Sequence, residues 1–205
     1  MHAVLALWML HSVLTAGTVS ATPTWPLEIS GEQTPPEFRE GLLRNKNFVL
    51  QIWTNVQTLL DTHRLEYPYL YEDQLGLLAE SQHLMSVQIN RCTQTGFHLE
   101  MCLFNLTTVL QQYHSYLTAH IERNHLGKML QKVEDLRLDL NNLRLNIEEL
   151  MHFLDVTPEP TGIEVQELNF ANDFLEQVAV RRLLKKLKKF MENISRVFNF
   201  VLGRM

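Results

Sequence analysis

Residues 126–154 read LGKMLQKVEDLRLDLNNLRLNIEELMHFL and contain the clearest periodic pattern of this chain. Apolar residues recur at alternating steps of three and four positions, while Glu, Asp, Lys and Arg fill most of the other positions. This spacing predicts a long α-helix with one apolar face, which fits either a coiled-coil dimer or a helix of an intrachain bundle. Leu138 and Leu145 favour the bundle, because they would widen the apolar face. The stripe itself consists of Leu126, Met129, Val133, Leu136, Leu140, Leu143, Ile147, Leu150 and Leu154.

Three further helices are predicted from the same kind of periodicity. They span about residues 37–64, 99–121 and 168–202, and all seven prolines lie outside them and outside 126–154. No stretch shows the sustained alternation of apolar and polar residues that strands require. The sequence therefore predicts an all-α protein with four helices.

The lengths of the connections restrict how these helices run. Only a few residues around 123–125 separate the second helix from the third, so we expect those two to be antiparallel. The first connection, about residues 65–95, can cross the length of a helix of about 39 Å. The last one, near residues 155–167, could also cross. This allows an up-up-down-down four-helix bundle with two long crossover loops, and it leaves a simple up-down arrangement open.

The N-terminus predicts secretion. Residues 3–14 are almost wholly apolar but too few to span a bilayer, which takes roughly 20 residues. Val19-Ser20-Ala21 supplies small residues for cleavage, and Pro23 and Pro26 follow at once. We expect a signal peptide over residues 1–21, no membrane span, and one secreted, extracellular domain over residues 22–205.

The two cysteines, Cys92 and Cys102, are expected to form a disulfide in that oxidising compartment. Closing so short a loop contributes roughly 3 kcal/mol in the chain-entropy model. Their spacing matches no zinc motif. Two sequons, at Asn105 and Asn193, are candidate glycosylation sites.

No cluster of residues predicts catalysis, a cofactor or a metal site. Gly127-Lys128 lacks the rest of a P-loop, and no G-x-S-x-G occurs. His120 and His125 stand five positions apart, off a common helix face. A formal net charge of −5 disfavours nucleic acid as the main partner. We therefore expect a protein that is not an enzyme.

The strongest charge signal is the basic run RRLLKKLKKF at residues 181–190. It fits a solvated bundle face, an amphipathic helix for membrane surfaces or heparan chains, or a receptor-docking face. The apolar side continues to Leu202, which indicates that it packs in a core and weakens the membrane interpretation. The side chains expected to project away from that apolar side are Arg181, Lys185, Lys188, Lys189 and Arg196.

Two stretches carry a resemblance to a known family. Residues 92–117, CTQTGFHLEMCLFNLTTVLQQYHSYL, place Gly-Phe inside a ten-spaced cysteine loop before a helix that ends in Tyr-x-x-Tyr-Leu. Residues 174–198, FLEQVAVRRLLKKLKKFMENISRVF, hold a Lys-x-Phe centre followed by an arginine. Both resemble the interleukin-6 and granulocyte colony-stimulating factor family of long-chain helical cytokines. The likeness is greater to the interleukin-6 branch, and the growth-factor branch, which shares the cysteine spacing, is the alternative.

The resemblance implies a ligand that is monomeric before receptor assembly. Such a ligand clusters a specific receptor chain with a shared signal-transducing chain, which activates Janus kinases in immune and acute-phase responses. It implies receptor contacts at Phe97 and Arg196 on one surface and at Phe174 on another. The second surface of the family lies on the outer faces of the first and third helices, where no residue here matches a motif.

This chain departs from the family pattern in three places. It lacks the family's first cysteine pair, Phe174 replaces a tryptophan, and Asn199 stands where a second arginine is expected. The resemblance therefore indicates a divergent member. A more distant alternative is a protein that binds membrane or lipid surfaces through its basic amphipathic helix.

Overall fold

The computed structural model describes residues 35–70, 92, 98–157, 170 and 172–205. These residues form α1 (Pro36–Glu66), α2 (Leu99–Glu122), a 3₁₀ turn (Gly127–Met129), α3 (Leu130–His152) and α4 (Asp173–Leu202). No strand occurs in these ranges. The prediction of an all-α protein with four helices is confirmed.

Two helices begin later than the sequence pattern predicted. Gly127 has a φ of 53°, a left-handed conformation that glycine adopts without steric cost, so regular helix starts only at Leu130. Asn172 caps α4, because its side-chain oxygen accepts a hydrogen bond of 3.0 Å from the Leu175 amide. The apolar residues Leu126 and Met129 are nevertheless buried, so the stripe continues through the turn.

The direction of α3 relative to α1 follows from two contacts. The Asn45 side-chain nitrogen, near the start of α1, lies 3.5 Å from the Asn146 carbonyl oxygen near the end of α3. Further along α1, the Asn55 side chain donates to the carboxylate of Asp139, at 3.3 Å. Residue numbers rise in α1 as they fall in α3, so these two helices are antiparallel.

The direction of α4 follows in the same way. The Trp53 indole nitrogen lies 3.4 Å from Glu192 Oε1, whereas His63 contacts Gln177. On α2, the Tyr113 ring stacks on Phe190 with centroids 5.4 Å apart. His120, one turn from the end of α2, lies beside Glu176 at the start of α4. Helix α4 is therefore antiparallel to both α1 and α2.

These directions give the up-up-down-down bundle. Helices α1 and α2 run one way, and α3 and α4 run the other. We call the end where α1 and α2 stop the upper end, and the end where they start the lower end. Most of the two crossover connections lies outside the described residues, as do residues 1–21 of the expected signal peptide.

The core consists of the predicted stripes. The stripe residues of α3 between Val133 and Leu150 are buried against α1 and α2 of the same chain. These two helices occupy the seam that a coiled-coil partner would need. The expectation that Leu138 and Leu145 widen this stripe was wrong, because their side chains are 50% and 46% exposed on the opposite face of α3. The buried face of α3 therefore consists of the stripe positions together with Met151.

The predicted disulfide is present. Cys92 and Cys102 are bonded, with their Cα atoms 5.6 Å apart, and both are buried within the hydrophobic core. Because Cys102 lies in the first turn of α2, the disulfide is at the lower end of the bundle. It fixes the end of the first connection to the core.

Candidate functional site

Arg181 joins the end of α1 to α4. Its guanidinium donates from Nη2 to the carbonyl oxygens of His63, at 3.2 Å, and Tyr67, at 2.9 Å, and from Nη1 to that of Leu70. The last carbonyl groups of a helix have no intrahelical partner, and a guanidinium with five N–H donors can satisfy several of them. Arg181 is only 4% exposed. The expectation that it lies on the solvated basic face was therefore wrong.

His63 extends this network from Arg181 to Gln177. Its Nδ1 accepts a hydrogen bond of 3.1 Å from Arg181 Nε, so the proton of the neutral ring is on Nε2, which donates to Gln177 Oε1 at 3.2 Å. Gln177 Nε2 in turn donates to the carbonyl oxygen of His125, at 2.8 Å. Burial, together with the Arg181 charge, lowers the pKa of His63 to about 4. A neutral histidine thus connects α1, α4 and the turn after α2.

A second buried polar group lies between α2 and α4 at the same end. The Glu176 carboxylate accepts a hydrogen bond of 2.9 Å from Arg123 Nε, and His120 Nδ1 lies 3.7 Å from the same oxygen. Burial lowers the pKa of His120 to about 4, although the neighbouring Glu176 charge acts in the opposite direction. Phe170 stacks on the His120 ring, with centroids 5.8 Å apart.

The upper end carries an aromatic surface that we call the tip patch, formed by Tyr67, Tyr69 and Phe174. Tyr69 is 52% exposed, and its ring stacks on that of half-buried Phe174 at a centroid distance of 6.5 Å. The edge of Tyr67 meets Tyr69 at 6.2 Å. The sequence predicted Phe174 but missed both tyrosines, although they flank Pro68 in a short aromatic segment. The Arg181 hydrogen bonds to Tyr67 and Leu70 hold this segment against α4.

The basic face of α4 is otherwise as predicted. Lys189 and Arg196 are exposed, and Lys185 and Lys188 are half-exposed. The Lys188 ammonium lies 4.8 Å from the centroid of the Trp53 ring on α1, in a cation–π contact. This face runs along α4 toward the lower end.

The structure places the predicted receptor residues on two separate surfaces. Phe174 lies at the upper end, and exposed Arg196 lies near the lower end, about 33 Å away along the helix. Phe97 lies outside the described residues, but its neighbour His98 directly precedes α2 at the lower end. The sequons Asn105 and Asn193 are both half-exposed.

Comparison with protein families identifies the relationship. Residues 73–200 match the model of the Interleukin-6/G-CSF/MGF family. The chain belongs to this family. Members of this family are cytokines, which are signalling proteins and not enzymes, and this confirms the prediction that the chain is not an enzyme. The match begins after α1, so the first helix of this family member lies outside it.

Individual relatives agree with this assignment. The chain is 28% identical over 171 residues to myelomonocytic growth factor of Gallus gallus, which covers 82% of this chain and 83% of the relative. It is 26% identical over 105 residues to interleukin-6 of Mus musculus, with 49% of each chain covered. Interleukin-6 of Bos taurus is 24% identical over 101 residues, which is 49% of this chain and 48% of the relative. The alignments to interleukin-6 thus span about half of either chain.

No helix in the described ranges of this family member has the length and hydrophobicity needed to cross a bilayer.

Proposed function

We propose that this chain is a secreted cytokine that binds and clusters cell-surface receptors and so activates Janus kinases in immune and acute-phase responses. Its membership of the Interleukin-6/G-CSF/MGF family is the observation that carries this proposal. Cytokines of this family are secreted, which supports a cleaved signal peptide over residues 1–21 and a mature domain over 22–205. The mature chain is a monomer before it meets a specific receptor chain and a shared signal-transducing chain.

The first receptor surface is proposed at the lower end. Arg196 projects from the basic face of α4, and the disulfide anchors the residues that precede α2 at the same end. Phe97 belongs in sequence to the segment between the two cysteines and lies outside the described residues. Arginine and aromatic side chains are among the residue types that dominate binding energy at interfaces. A glycan on Asn193, three positions before Arg196, would lie next to this surface.

The third surface is proposed at the tip patch. Phe174 alone is half-buried, but its stack with exposed Tyr69 creates a wider aromatic surface. Phenylalanine lacks the indole N–H of tryptophan, so Phe174 itself offers only apolar contact. Tyr69 restores a polar group at this surface through its hydroxyl.

A second surface can now be proposed between α1 and α3. A cleft of about 220 Å³ lies between the start of α1 and the end of α3. Phe48 and Phe153 supply its aromatic walls. Gly41 lets Leu150 pack directly against the α1 backbone, since a Cβ at this position would lie only 2.8 Å from Leu150 Cδ2. The rest of the lining is polar, with the amides of Asn45 and Asn146 inside and the charges of Arg44 and Glu149 at the rim, so the cleft offers both aromatic contact and hydrogen bonds to a partner side chain.

The growth-factor alternative is favoured by one observation. The alignment to myelomonocytic growth factor covers 82% of this chain, whereas the alignment to interleukin-6 of Mus musculus covers 49%. The two alternatives are distinguished by measuring binding of the secreted protein to the interleukin-6 receptor chain and to the granulocyte colony-stimulating factor receptor in parallel. Binding to the first supports the interleukin-6-like proposal, and binding to the second supports the growth-factor alternative. Binding to neither contradicts both.

The lipid-surface alternative is weakened by the packing of α4. A surface-bound helix inserts its apolar face into the lipid. In this bundle that face is occupied, since Leu183, Leu187, Ile194 and Val201 are buried in the core. A folded chain would have to open the bundle before α4 could bind a membrane in this way.

Arg196→Glu is expected to weaken receptor binding at the lower surface by about 1–3 kcal/mol, because it reverses a charge at the centre of the proposed contact. Surface plasmon resonance with the cognate receptor chain measures the effect. Lys132→Glu, an equal charge reversal at an exposed position of α3, serves as the control and should change the affinity little. Equal losses in both variants would show a general electrostatic effect and contradict the assignment of Arg196.

Phe174→Ala is expected to reduce signalling through the tip patch and leave binding at the lower surface unchanged. The substitution removes the ring on which Tyr69 stacks, so the expected loss is about 2 kcal/mol, or roughly thirtyfold in the concentration for half-maximal signalling. A reporter assay of Janus kinase signalling together with the first receptor's affinity separates the two steps. Leu138→Ala removes an exposed apolar side chain midway along α3 and is the matched control. An undiminished signalling response of the Phe174 variant would exclude the tip patch as a receptor surface.

A further inference from the structure

Three side chains with metal-binding atoms converge at the upper end of the bundle. One nitrogen of His125 and one carboxylate oxygen each of Asp173 and Glu176 lie within 4.8 Å of one another. His125 Nδ1 and Asp173 Oδ1 are separated by 3.5 Å. This group has no motif in the sequence, because His125 and Asp173 are separated by the whole of α3 and the last connection.

The fold determines the position of each of the three residues. Asp173 and Glu176 are three positions apart in the first turn of α4, so their side chains lie on one face of the helix. His125 follows α2, and Gln177 Nε2 donates a hydrogen bond of 2.8 Å to its carbonyl oxygen. This bond holds the backbone of the turn against the start of α4.

A second observation points to a ligand at this group. Glu176 is 1% exposed, and its Oε2 accepts no hydrogen bond from the part of the chain that the structure describes. Its other oxygen, Oε1, accepts from Arg123. A buried carboxylate oxygen without a donor is unfavourable, because the water it loses on folding is not replaced. A cation bound at this group would remove that cost.

We propose that His125, Asp173 and Glu176 bind a divalent transition-metal ion, and that Zn²⁺ is the best match. One imidazole and two carboxylates form a donor set that Zn²⁺ accepts, whereas Ca²⁺ and Mg²⁺ prefer oxygen ligands only. In a tetrahedral zinc site with bonds of about 2.1 Å, ligand atoms are about 3.4 Å apart. The separation of His125 and Asp173 already matches this value. Both side chains are exposed, so they can close on the buried carboxylate while solvent supplies the fourth ligand.

The charges around the site set the strength of this binding. Two carboxylates attract the ion, while Arg123 and the positive end of α4 oppose it. Arg123 also has a favourable role, because a hydrogen bond to one oxygen of a ligating carboxylate fixes the direction of the other. The opposing charges of Arg123 and the helix end thus weaken the binding that the two carboxylates favour.

Zinc at this site would connect the turn after α2 to the first turn of α4. Phe174 lies between Asp173 and Glu176 in the chain and belongs to the tip patch. Binding of the ion would thus restrict the backbone that carries Phe174. This link to the tip patch depends on the proposed function, whereas the binding of zinc itself does not.

Titration calorimetry of the full secreted chain with zinc chloride tests the proposal. We expect saturable binding of one zinc ion at this site and no comparable binding of magnesium. His125→Ala and Asp173→Asn should each weaken binding at least tenfold, since changes even to groups beside a metal ligand cost about 10- to 100-fold. The control is His152→Ala, which removes an exposed histidine at the lower end of α3 and should alter the affinity less than about twofold.

A second measurement identifies the ligand directly. Zinc should shift the imidazole nitrogen resonances of His125 in the wild-type chain and leave those of His152 in place. Circular dichroism of the variants should match the wild type, because both substituted side chains are exposed. Zinc binding of equal strength in the His125 and Asp173 variants, or unshifted His125 resonances at saturation, would overturn the proposal. Loss of zinc binding with unchanged signalling in the Janus kinase reporter assay would leave the site standing and contradict only its link to the tip patch.

Discussion

Arg181→Met should lower the free energy of unfolding by about 3–5 kcal/mol, although it removes a positive charge from the most basic segment of the chain. The backbone carbonyl oxygens of His63, Tyr67 and Leu70 would each lose the Arg181 donor. Those of His63 and Tyr67 would keep one backbone N–H each, whereas the buried Leu70 carbonyl and His63 Nδ1 would lose the Arg181 hydrogen bond described above. Methionine fills similar space, so most of the loss comes from these broken hydrogen bonds. Urea denaturation followed by circular dichroism measures it.

Arg196→Met is the matched control on the same helix. Its side chain is exposed, and substitutions at such positions change stability by less than about 0.5 kcal/mol. If the two variants unfold at the same urea concentration, Arg181 does not have the structural role described above. On the proposed function, the Arg181 variant should also signal less through the tip patch, because Tyr67 and Leu70 would no longer be held against α4.

Acidification from pH 7 to pH 4 should destabilise the bundle by several kcal/mol through its two buried histidines. Each has a folded-state pKa of about 4, below the ordinary value of 6.5. As the pH falls below 6.5, the unfolded chain therefore binds protons that the folded chain does not. The stability contributed by neutral His63 and His120 is complete above pH 6.5 and is lost as the pH falls toward 4. Each histidine accounts for about 3 kcal/mol of this loss.

His120→Leu isolates one of these contributions. Leucine is similar in size and has no titratable group, and the nitrogens of His120 make no hydrogen bond with the described residues. The variant should lose about 3 kcal/mol less than the wild type between pH 7 and pH 4 in parallel urea titrations. Carboxylate titration is common to both chains and cancels in the difference. His152→Leu, at an exposed position, should follow the wild-type curve. A His120 variant that also follows that curve would show that this histidine is not held neutral in the fold.

The periodic segments of the sequence were sufficient to predict the four helices. An a/d stripe is a local property, since every residue from Val133 to Leu150 can be assigned to a face without knowledge of the neighbours. The disulfide could also be predicted, because Cys92 and Cys102 are the only two cysteines in the sequence. The connection lengths allowed two topologies, and only contacts such as Asn45 with Asn146 decided between them.

The polar chemistry of the upper end could not be predicted in this way. Arg181 has the helical position of a solvated residue, and it is buried because α1 ends beside it and presents backbone carbonyl groups to its guanidinium. His125 joins Asp173 only after two antiparallel helices have closed. Tyr69 meets Phe174 for the same reason. Such contacts depend on where one helix stops relative to another, and that register is not encoded within either helix.

The helix directions have a practical consequence for attaching probes to this protein. Pro36 of α1 and Leu202 of α4 lie at the same end of the bundle, and the tip patch lies at the other, about 45 Å away along α4. A bulky carrier or a chip linkage joined to the end of α4 would crowd Arg196 and leave Tyr69 and Phe174 open. On the proposed function, coupling at that end should hinder the receptor contact at Arg196 and spare the one at the tip patch. Immobilisation through the turn after α2 would instead crowd the upper end and leave the lower end, with Arg196, accessible.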